Sequence, residues 1–306
     1  MERDRTHHDL FAVQKAYAQH ANYVVINNPD YTINECIILF SSNALYFPND
    51  EATASRVLLE ENRFEFQQHA PKSFRKIILV RDVFKTWYLK GINASTNNRE
   101  EVVALLKSLT GNLPITCAGV SAGGYAAMYF GVQLQAKLIL SLAGQVSLEP
   151  ILGNIEDVRK NPSIKPYFDS HPQLASDLTI EMMDFLTKST FEPIFVHIYP
   201  YKSKEDIEQA SLLGSLRSCD RFYEIKVNQK FHGIPIFPAL FEKFIVSIRD
   251  ETTLIRFDRN SALSRLRTTI LATGFSGETL KILVVAFLFS MRKHLSSFFN
   301  RIRNPC

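Results

Sequence analysis

Short apolar segments alternate with stretches of helical periodicity over the first 250 residues of the chain. Several of these segments are apolar at consecutive positions, which is typical of strands covered by helices on both faces of a mostly parallel sheet. The segments that predict strands are residues 23–27, 36–40, 76–80, 115–119, 137–142, 194–199 and 222–227, and those that predict helices include 99–108, 125–134 and 238–248. This alternation predicts a doubly wound α/β domain, with a mostly parallel sheet flanked by helices.

A long insertion interrupts the alternation between the fifth and sixth predicted strands. Residues 147–193 contain no strand pattern, several X-Pro pairs that break regular structure, and a helical segment at 180–186. Insertions of this kind above a sheet commonly form lids that shape substrate access. We therefore expect a small helical lid, and a loose surface excursion is the alternative.

Composition and cysteine usage agree with a globular protein of a reducing compartment. Of the 306 residues, 46% are hydrophobic and 22% are charged, which excludes a disordered or collagen-like chain. The four cysteines are scattered without a CxxC pair, so we expect neither a disulfide framework nor a metal site. The first residues are charged and show no apolar signal-peptide core. These features predict a cytoplasmic protein.

The net charge of +4 is concentrated at one end of the chain. Residues 251–306 carry nine basic and three acidic side chains, whereas residues 1–250 are close to neutral. An apolar run at 280–291, shorter than the roughly 20 residues that span a bilayer, precedes a basic segment at 292–303. This order favours a helical amphipathic tail that contacts the inner face of a membrane peripherally, and packing on the preceding domain or on a second copy is the alternative. Nucleic-acid binding is disfavoured because no binding motif accompanies the charge.

The sharpest local motif is Gly119-Val120-Ser121-Ala122-Gly123-Gly124, which lies between an apolar strand and an Ala-rich helix. A Gly-x-Ser-x-Gly sequence in this context predicts a nucleophile elbow, a tight turn that projects the serine hydroxyl from the end of the strand. Small residues on both sides of the serine leave room for the turn. The alternative is a glycine-rich turn with an idle serine. We take Ser121 as the candidate nucleophile.

A nucleophile elbow requires a histidine, an acid and donors to an oxyanion elsewhere in the chain. His232 follows the last predicted strand and is the candidate base, with His294 as its rival in the basic tail and His197 assigned to the core. Asp206 follows the sixth strand, ahead of a helix that we expect to begin near residue 207, and is the candidate acid, with Glu205 as its rival.

For the oxyanion hole we expect two backbone N–H donors. The first is that of Ala122, at the start of the helix after the elbow, where the helix dipole also favours negative charge. The second should come from the loop Ser41-Ser42-Asn43-Ala44, which directly follows the strand at 36–40, and we assign it to Ser42. Small polar residues suit an ordinary turn equally well at this point of the chain.

The elbow, the Phe40-Ser41-Ser42 loop and the order Ser121, Asp206, His232 resemble the α/β-hydrolase superfamily. More narrowly, these features and the segment at 80–92 resemble bacterial proteins encoded with capsule and other surface-polysaccharide genes. Some of those are serine-triad O-acetyltransferases that move acetyl from acetyl-CoA to a sugar hydroxyl. The resemblance implies a glycan or small-molecule substrate, acetyl-CoA as co-substrate and no tightly bound cofactor. A carboxylesterase or deacetylase with the same triad and a catalytically silent scaffold are the alternatives.

Overall fold

The computed structural model describes residues 7–147, 168–172, 193–236, 238–255, 257 and 263–274. Within these residues one sheet is built from β1 (Tyr23–Asn27), β2 (Ile33–Phe40), β3 (Phe74–Val80), β4 (Ile115–Val120), β5 (Leu138–Leu142), β6 (Ile194–Pro200) and β7 (Phe222–Val227). The α-helices are α1 (Phe11–Gln19), α2 (Glu51–Ala54), α3 (Arg99–Thr110), α4 (Ala122–Gln133), α5 (Lys204–Leu212), α6 (Phe241–Ile248), α7 (Glu251–Leu254) and α8 (Arg265–Thr273). All the predicted strands are confirmed, with bounds that differ by a few residues.

The strand order across the sheet is β1-β3-β2-β4-β5-β6-β7. β1 runs antiparallel to β3, and every other neighbouring pair is parallel. After β3 the chain crosses over β2 to form β4. The connection after β2 therefore leads towards β1, the connection after β4 leads towards β7, and the two diverge at the carboxyl edge of the sheet. Open α/β sheets bind their ligands at such a switch point. The topology therefore places the candidate site beside the end of β4.

The apolar runs in the strands arise because both faces of the sheet are covered. In β2, Cys36, Ile38 and Phe40 pack into the cluster that includes residues of α3 and α4. Ile37 and Leu39 point to the opposite face and pack into the cluster that includes residues of α6. Successive side chains of a strand point to opposite faces of the sheet. A strand with a core on each face is therefore apolar at consecutive positions.

The packed core continues beyond residue 250, the end of the predicted catalytic domain. Leu254, Phe257 and Leu263 are buried in the same cluster as α6. The backbone N–H of Leu263 donates to the carbonyl of Lys226 at 2.9 Å, next to the outer edge of β7. The described part of 251–306 therefore packs on the preceding domain. This packing agrees with the alternative in which the segment packs on the preceding domain, and the boundary at residue 250 stays a prediction.

The apolar run at 280–291 and the basic segment at 292–303 lie outside the described residues, so the membrane contact predicted for them stays a prediction. Among the helices that the structure describes, none has both the length and the apolar character needed to cross a bilayer.

The predicted lid is described only at residue 147, at 168–172 and at residue 193, and its predicted helix at 180–186 lies outside these residues. Phe168 is buried, and its ring meets the ring of Trp87 edge to face with the centroids 5.8 Å apart. At this point the insertion therefore packs on the loop that follows β3.

Candidate active site

Ser121 lies at a tight turn between β4 and α4. Its backbone is in the left-handed region, with φ of 56° and ψ of −120°, a conformation that costs free energy for a residue with a Cβ atom. A Cβ atom at Gly119 would lie 2.0 Å from the carbonyl oxygen of Gly123, and one at Gly123 would lie 2.1 Å from that of Phe40. Only glycine therefore fits at these two positions, and the strained turn is held by close backbone packing.

Ser121, His232 and Asp206 meet in one hydrogen-bonded chain, although they follow three different strands. The distance from Ser121 Oγ to His232 Nε2 is 2.9 Å, and that from His232 Nδ1 to Asp206 Oδ1 is also 2.9 Å. Because an ionised carboxylate can only accept hydrogen bonds, the imidazole carries its proton on Nδ1. Nε2 is then free to accept the hydroxyl proton of Ser121, which is the arrangement of a serine nucleophile and its base.

Asp206 lies in the first turn of α5, next to the residue that caps this helix. Ser203 caps α5 and accepts a hydrogen bond from the backbone N–H of Asp206 at 3.4 Å. The helix thus begins at Lys204, and the expectation that it begins near residue 207 is wrong because the cap lies further upstream. Asp206 occupies the first turn, where its side chain points inward and is 2% exposed. Its rival Glu205 instead accepts a hydrogen bond from Gln145 at 3.1 Å.

The two predicted oxyanion donors have different surroundings. The N–H of Ala122 has no acceptor among the residues that the structure describes, so it is available to a ligand. The N–H of Ser42 donates to the Glu65 carboxylate, and the Ser42 hydroxyl donates to Glu65 Oε1 at 2.9 Å. This contact counts against Ser42 as an oxyanion donor, because its N–H is already bound by a side chain from the connection between β2 and β3, and the assignment stays a prediction.

Asn43 carries an unengaged backbone N–H in this loop. On one side, the N–H of Ser41 donates to the carbonyl of Val80 at 2.9 Å. On the other side, the N–H of Ala44 donates to the Ser42 hydroxyl at 3.1 Å. In the described part of the chain the N–H of Asn43 has no such partner. The sequence held no signal that would separate Asn43 from Ser42.

The register of the sheet brings Asn43 close to Ala122. Phe40 in β2 pairs with Gly119 in β4, and each of the two donors lies three residues beyond one member of this pair. The loop after β2 also packs directly on the first turn of α4, since the carbonyl of Phe40 touches Gly123. The two unengaged N–H groups thus belong to segments that leave neighbouring strands at the same edge of the sheet and contact each other.

The carboxylate of Glu65 anchors the loop after β2 through its two hydrogen bonds from Ser42. Burial raises the pKa of its carboxyl, and the hydrogen bonds from Ser42 and the charge of Lys85 act in the opposite direction. Lys85 is itself buried, which lowers its pKa to about 7. Its Nζ contacts Asn49 Oδ1 at 2.5 Å and lies 3.6 Å from the centroid of the Tyr46 ring. The loop after β2 therefore packs on a buried polar cluster.

His197 is a buried histidine of the core, as its position inside a strand predicts. Its Nδ1 lies 3.2 Å from the Ser141 hydroxyl, and burial lowers its pKa to about 4, so the ring is neutral at pH 7. His294 lies outside the described residues. His232 is thus the histidine that the structure brings to Ser121.

The sheet order, the antiparallel strand β1 and the strained serine turn after β4 define an α/β-hydrolase-type fold. The carboxyl ends of β4, β6 and β7 supply the serine, the acid and the histidine in that order along the chain, which is the order of this fold.

Solved structures of similar fold include two bacterial enzymes and one from an insect. The capsule O-acetyltransferase of Neisseria meningitidis serogroup A is 12% identical, with a TM-score of 0.48 over 66% of this chain and 79% of that one. An S-formylglutathione hydrolase of Staphylococcus aureus is 11% identical, with a TM-score of 0.42 over 74% and 90% of the two chains. The Wnt deacylase Notum of Drosophila is 11% identical, with a TM-score of 0.36 over 81% and 93%. No protein-family model and no curated protein sequence matches the chain.

Proposed function

We propose that the protein is a serine-nucleophile acyl-transfer enzyme that acts on carboxylic esters or thioesters. The observation that carries this proposal is the continuous hydrogen-bonded chain from Ser121 through His232 to Asp206 at the carboxyl edge of the sheet. A catalytically silent scaffold has no need of a strained serine turn aligned with an imidazole and a buried carboxylate.

The geometry supports a reaction in two halves. Ser121 Oγ attacks the acyl carbonyl as His232 Nε2 takes the hydroxyl proton, and the oxyanion is bound by the N–H groups of Ala122 and Asn43. The tetrahedral intermediate collapses to an acyl-serine, and His232 returns the proton to the departing alcohol or thiol. An acceptor hydroxyl then attacks the acyl-serine while His232 Nε2 takes its proton. The bond from the acyl carbon to Ser121 Oγ breaks, and His232 returns the proton to Oγ, which regenerates the free serine. Asp206 orients the imidazole and stabilises its charged form throughout.

The acceptor decides between two versions of this function. With water as acceptor the protein is a carboxylesterase or deacetylase. With a sugar hydroxyl it is an O-acetyltransferase that uses acetyl-CoA in the synthesis of a bacterial surface polysaccharide. The sequence resemblance of the elbow and of the 80–92 segment supports the second version. Both versions require the same covalent acyl-Ser121 intermediate.

A fluorophosphonate probe tests the nucleophile, because it phosphonylates an activated serine. We expect the wild-type chain to be labelled, the S121A variant to remain unlabelled, and the S211A variant, altered at an exposed serine of α5, to be labelled as the wild type. Absence of Ser121-dependent labelling would overturn the proposal. Acetyl-CoA consumption, measured with and without glycan acceptors, then distinguishes the transferase from the hydrolase.

The assignment of Asn43 as an oxyanion donor predicts a large difference between two substitutions at one position. N43P removes the backbone N–H, whereas N43A retains it. We expect kcat for an activated ester to fall about 100- to 1,000-fold in N43P, the range for the loss of one oxyanion donor. For N43A we expect a small effect. Thermal unfolding of both variants checks that the loop still folds, and equal kcat values in two folded variants would refute the assignment.

A further inference from the structure

We propose that Gln145 is a positioning residue for the acyl-transfer reaction, which holds the two ends of the hydrogen-bonded chain, Ser121 and Asp206, at their working separation. This inference rests on the proposed function. Ser121 and Asp206 lie on separate elements, and each is fixed locally by its own turn. Their relative position therefore depends on the residues that bridge the elements.

Gln145 makes contact with both ends. Its backbone N–H donates to the carbonyl of Ser121 at 3.4 Å. Its side-chain Nε2 donates at 3.1 Å to Glu205, the residue that precedes Asp206 in the first turn of α5. The remaining group of the amide, Oε1, accepts a hydrogen bond from the indole N–H of Trp87 at 2.7 Å. One buried side chain thus joins the loops after β3 and β5 to the helix that carries the acid.

The backbone around Gln145 is anchored on both sides. Ahead of it, the N–H of Ala143 donates to the carbonyl of Ile198 at 2.7 Å. Behind it, Gln209 Oε1 accepts from the N–H groups of Val146 at 2.5 Å and Ser147 at 2.8 Å. Because the chain is tied to β6 and α5 at these points, the Gln145 side chain acts as a rigid link rather than an adaptable surface contact.

Trp87 is the second side-chain partner of Gln145, and its fluorescence can be used to follow this contact. The loop that carries Trp87 wraps around Asp82, whose carboxylate accepts hydrogen bonds from the N–H groups of Phe84, Thr86 and Tyr88. The indole is 2% exposed and packs against the ring of Phe168. It is also the single tryptophan of the chain, so the tryptophan emission of the protein comes from this indole alone.

The test compares Q145L, which removes both hydrogen bonds at similar volume, with Q19L, which alters an exposed glutamine of α1. We expect Q145L to lower kcat for an activated ester about 10- to 100-fold, the range for a small misplacement of reacting groups, with KM within about twofold. Its tryptophan emission should shift, while Q19L should match the wild type in all three quantities.

A second pair of variants separates positioning from general stability. In Q145E the new carboxylate still accepts from the Trp87 indole but repels Glu205, and the Q145E/E205Q double variant restores a donor–acceptor pair with reversed polarity. We expect Q145E to lose activity as Q145L does, and the double variant to recover to within about threefold of the wild-type kcat, as expected for coupled neighbours.

Two results would overturn the inference. One is a Q145L kcat within twofold of that of Q19L. The other is a loss in Q145E that the added E205Q substitution leaves unchanged, since the position would then matter only for folding. Failure of the proposed function is a separate result, in which the wild-type chain itself shows no Ser121-dependent labelling or turnover.

Discussion

Substitution of Ser121 or His232 by alanine is expected to lower kcat for ester turnover by about 10⁴- to 10⁶-fold, and substitution of both to lower it no further. In the proposed mechanism the two side chains act as one unit, because every proton that His232 Nε2 transfers belongs to a step in which the bond to Ser121 Oγ, 2.9 Å away, forms or breaks. Removal of either group therefore removes the same covalent step. The residual rate would come from substrate binding and from the oxyanion donors.

Steady-state kinetics of S121A, H232A and the double variant would measure this coupling. S211A, on the exposed side of α5, serves as the control for loss of a serine hydroxyl. The prediction would be contradicted if the losses in the two single variants multiplied in the double variant, since the residues would then act independently.

The D206N substitution is expected to lower kcat by about 10⁴-fold while the fold remains intact. An asparagine can donate its amide protons to His232 Nδ1, at the position where the carboxylate now accepts. The imidazole would then carry its proton on Nε2 and could no longer accept the proton of Ser121. The loss should therefore appear in kcat and in fluorophosphonate labelling, with little change in thermal stability.

E208Q provides a matched control on the same helix. Glu208 is paired with Lys204 at 3.7 Å on the surface of α5, where a single ion pair contributes little free energy. We expect this variant to retain wild-type kcat and labelling. Equal losses in D206N and E208Q would show that the helix, and not the Asp206 carboxylate, governs the reaction.

The features that were predicted well depend on residues that are adjacent in the sequence. The strands were predictable because each apolar run lies between two cores, as in β2, where successive side chains enter opposite clusters. The elbow was predictable because the glycines at positions 119 and 123 and the strained serine lie within five consecutive residues. The choice of Asp206 over Glu205 was open in the sequence, since both lie in the first turn of α5 and the packing of that helix on the domain determines which of them is buried.

The loop after β2 contains a feature that the sequence could not predict. Ser42 and Asn43 are adjacent small polar residues, and their sequence does not distinguish them. The difference comes from Glu65, 23 positions further along the chain, which takes the N–H and the hydroxyl of Ser42 and leaves the N–H of Asn43 available. The packing of Leu254, Phe257 and Leu263 on the preceding domain likewise depends on partners distant in sequence.

The sequence by itself determined the α/β alternation, the serine turn and the set of candidate side chains, because periodicity and turn chemistry act within a few residues. Only the tertiary structure decided which acid meets His232, which N–H remains free for an oxyanion, and how Gln145 links Ser121 to the helix of Asp206. These outcomes depend on hydrogen bonds between residues 23 to 111 positions apart. Such contacts form when the strands are aligned in the sheet, and no local pattern encodes them.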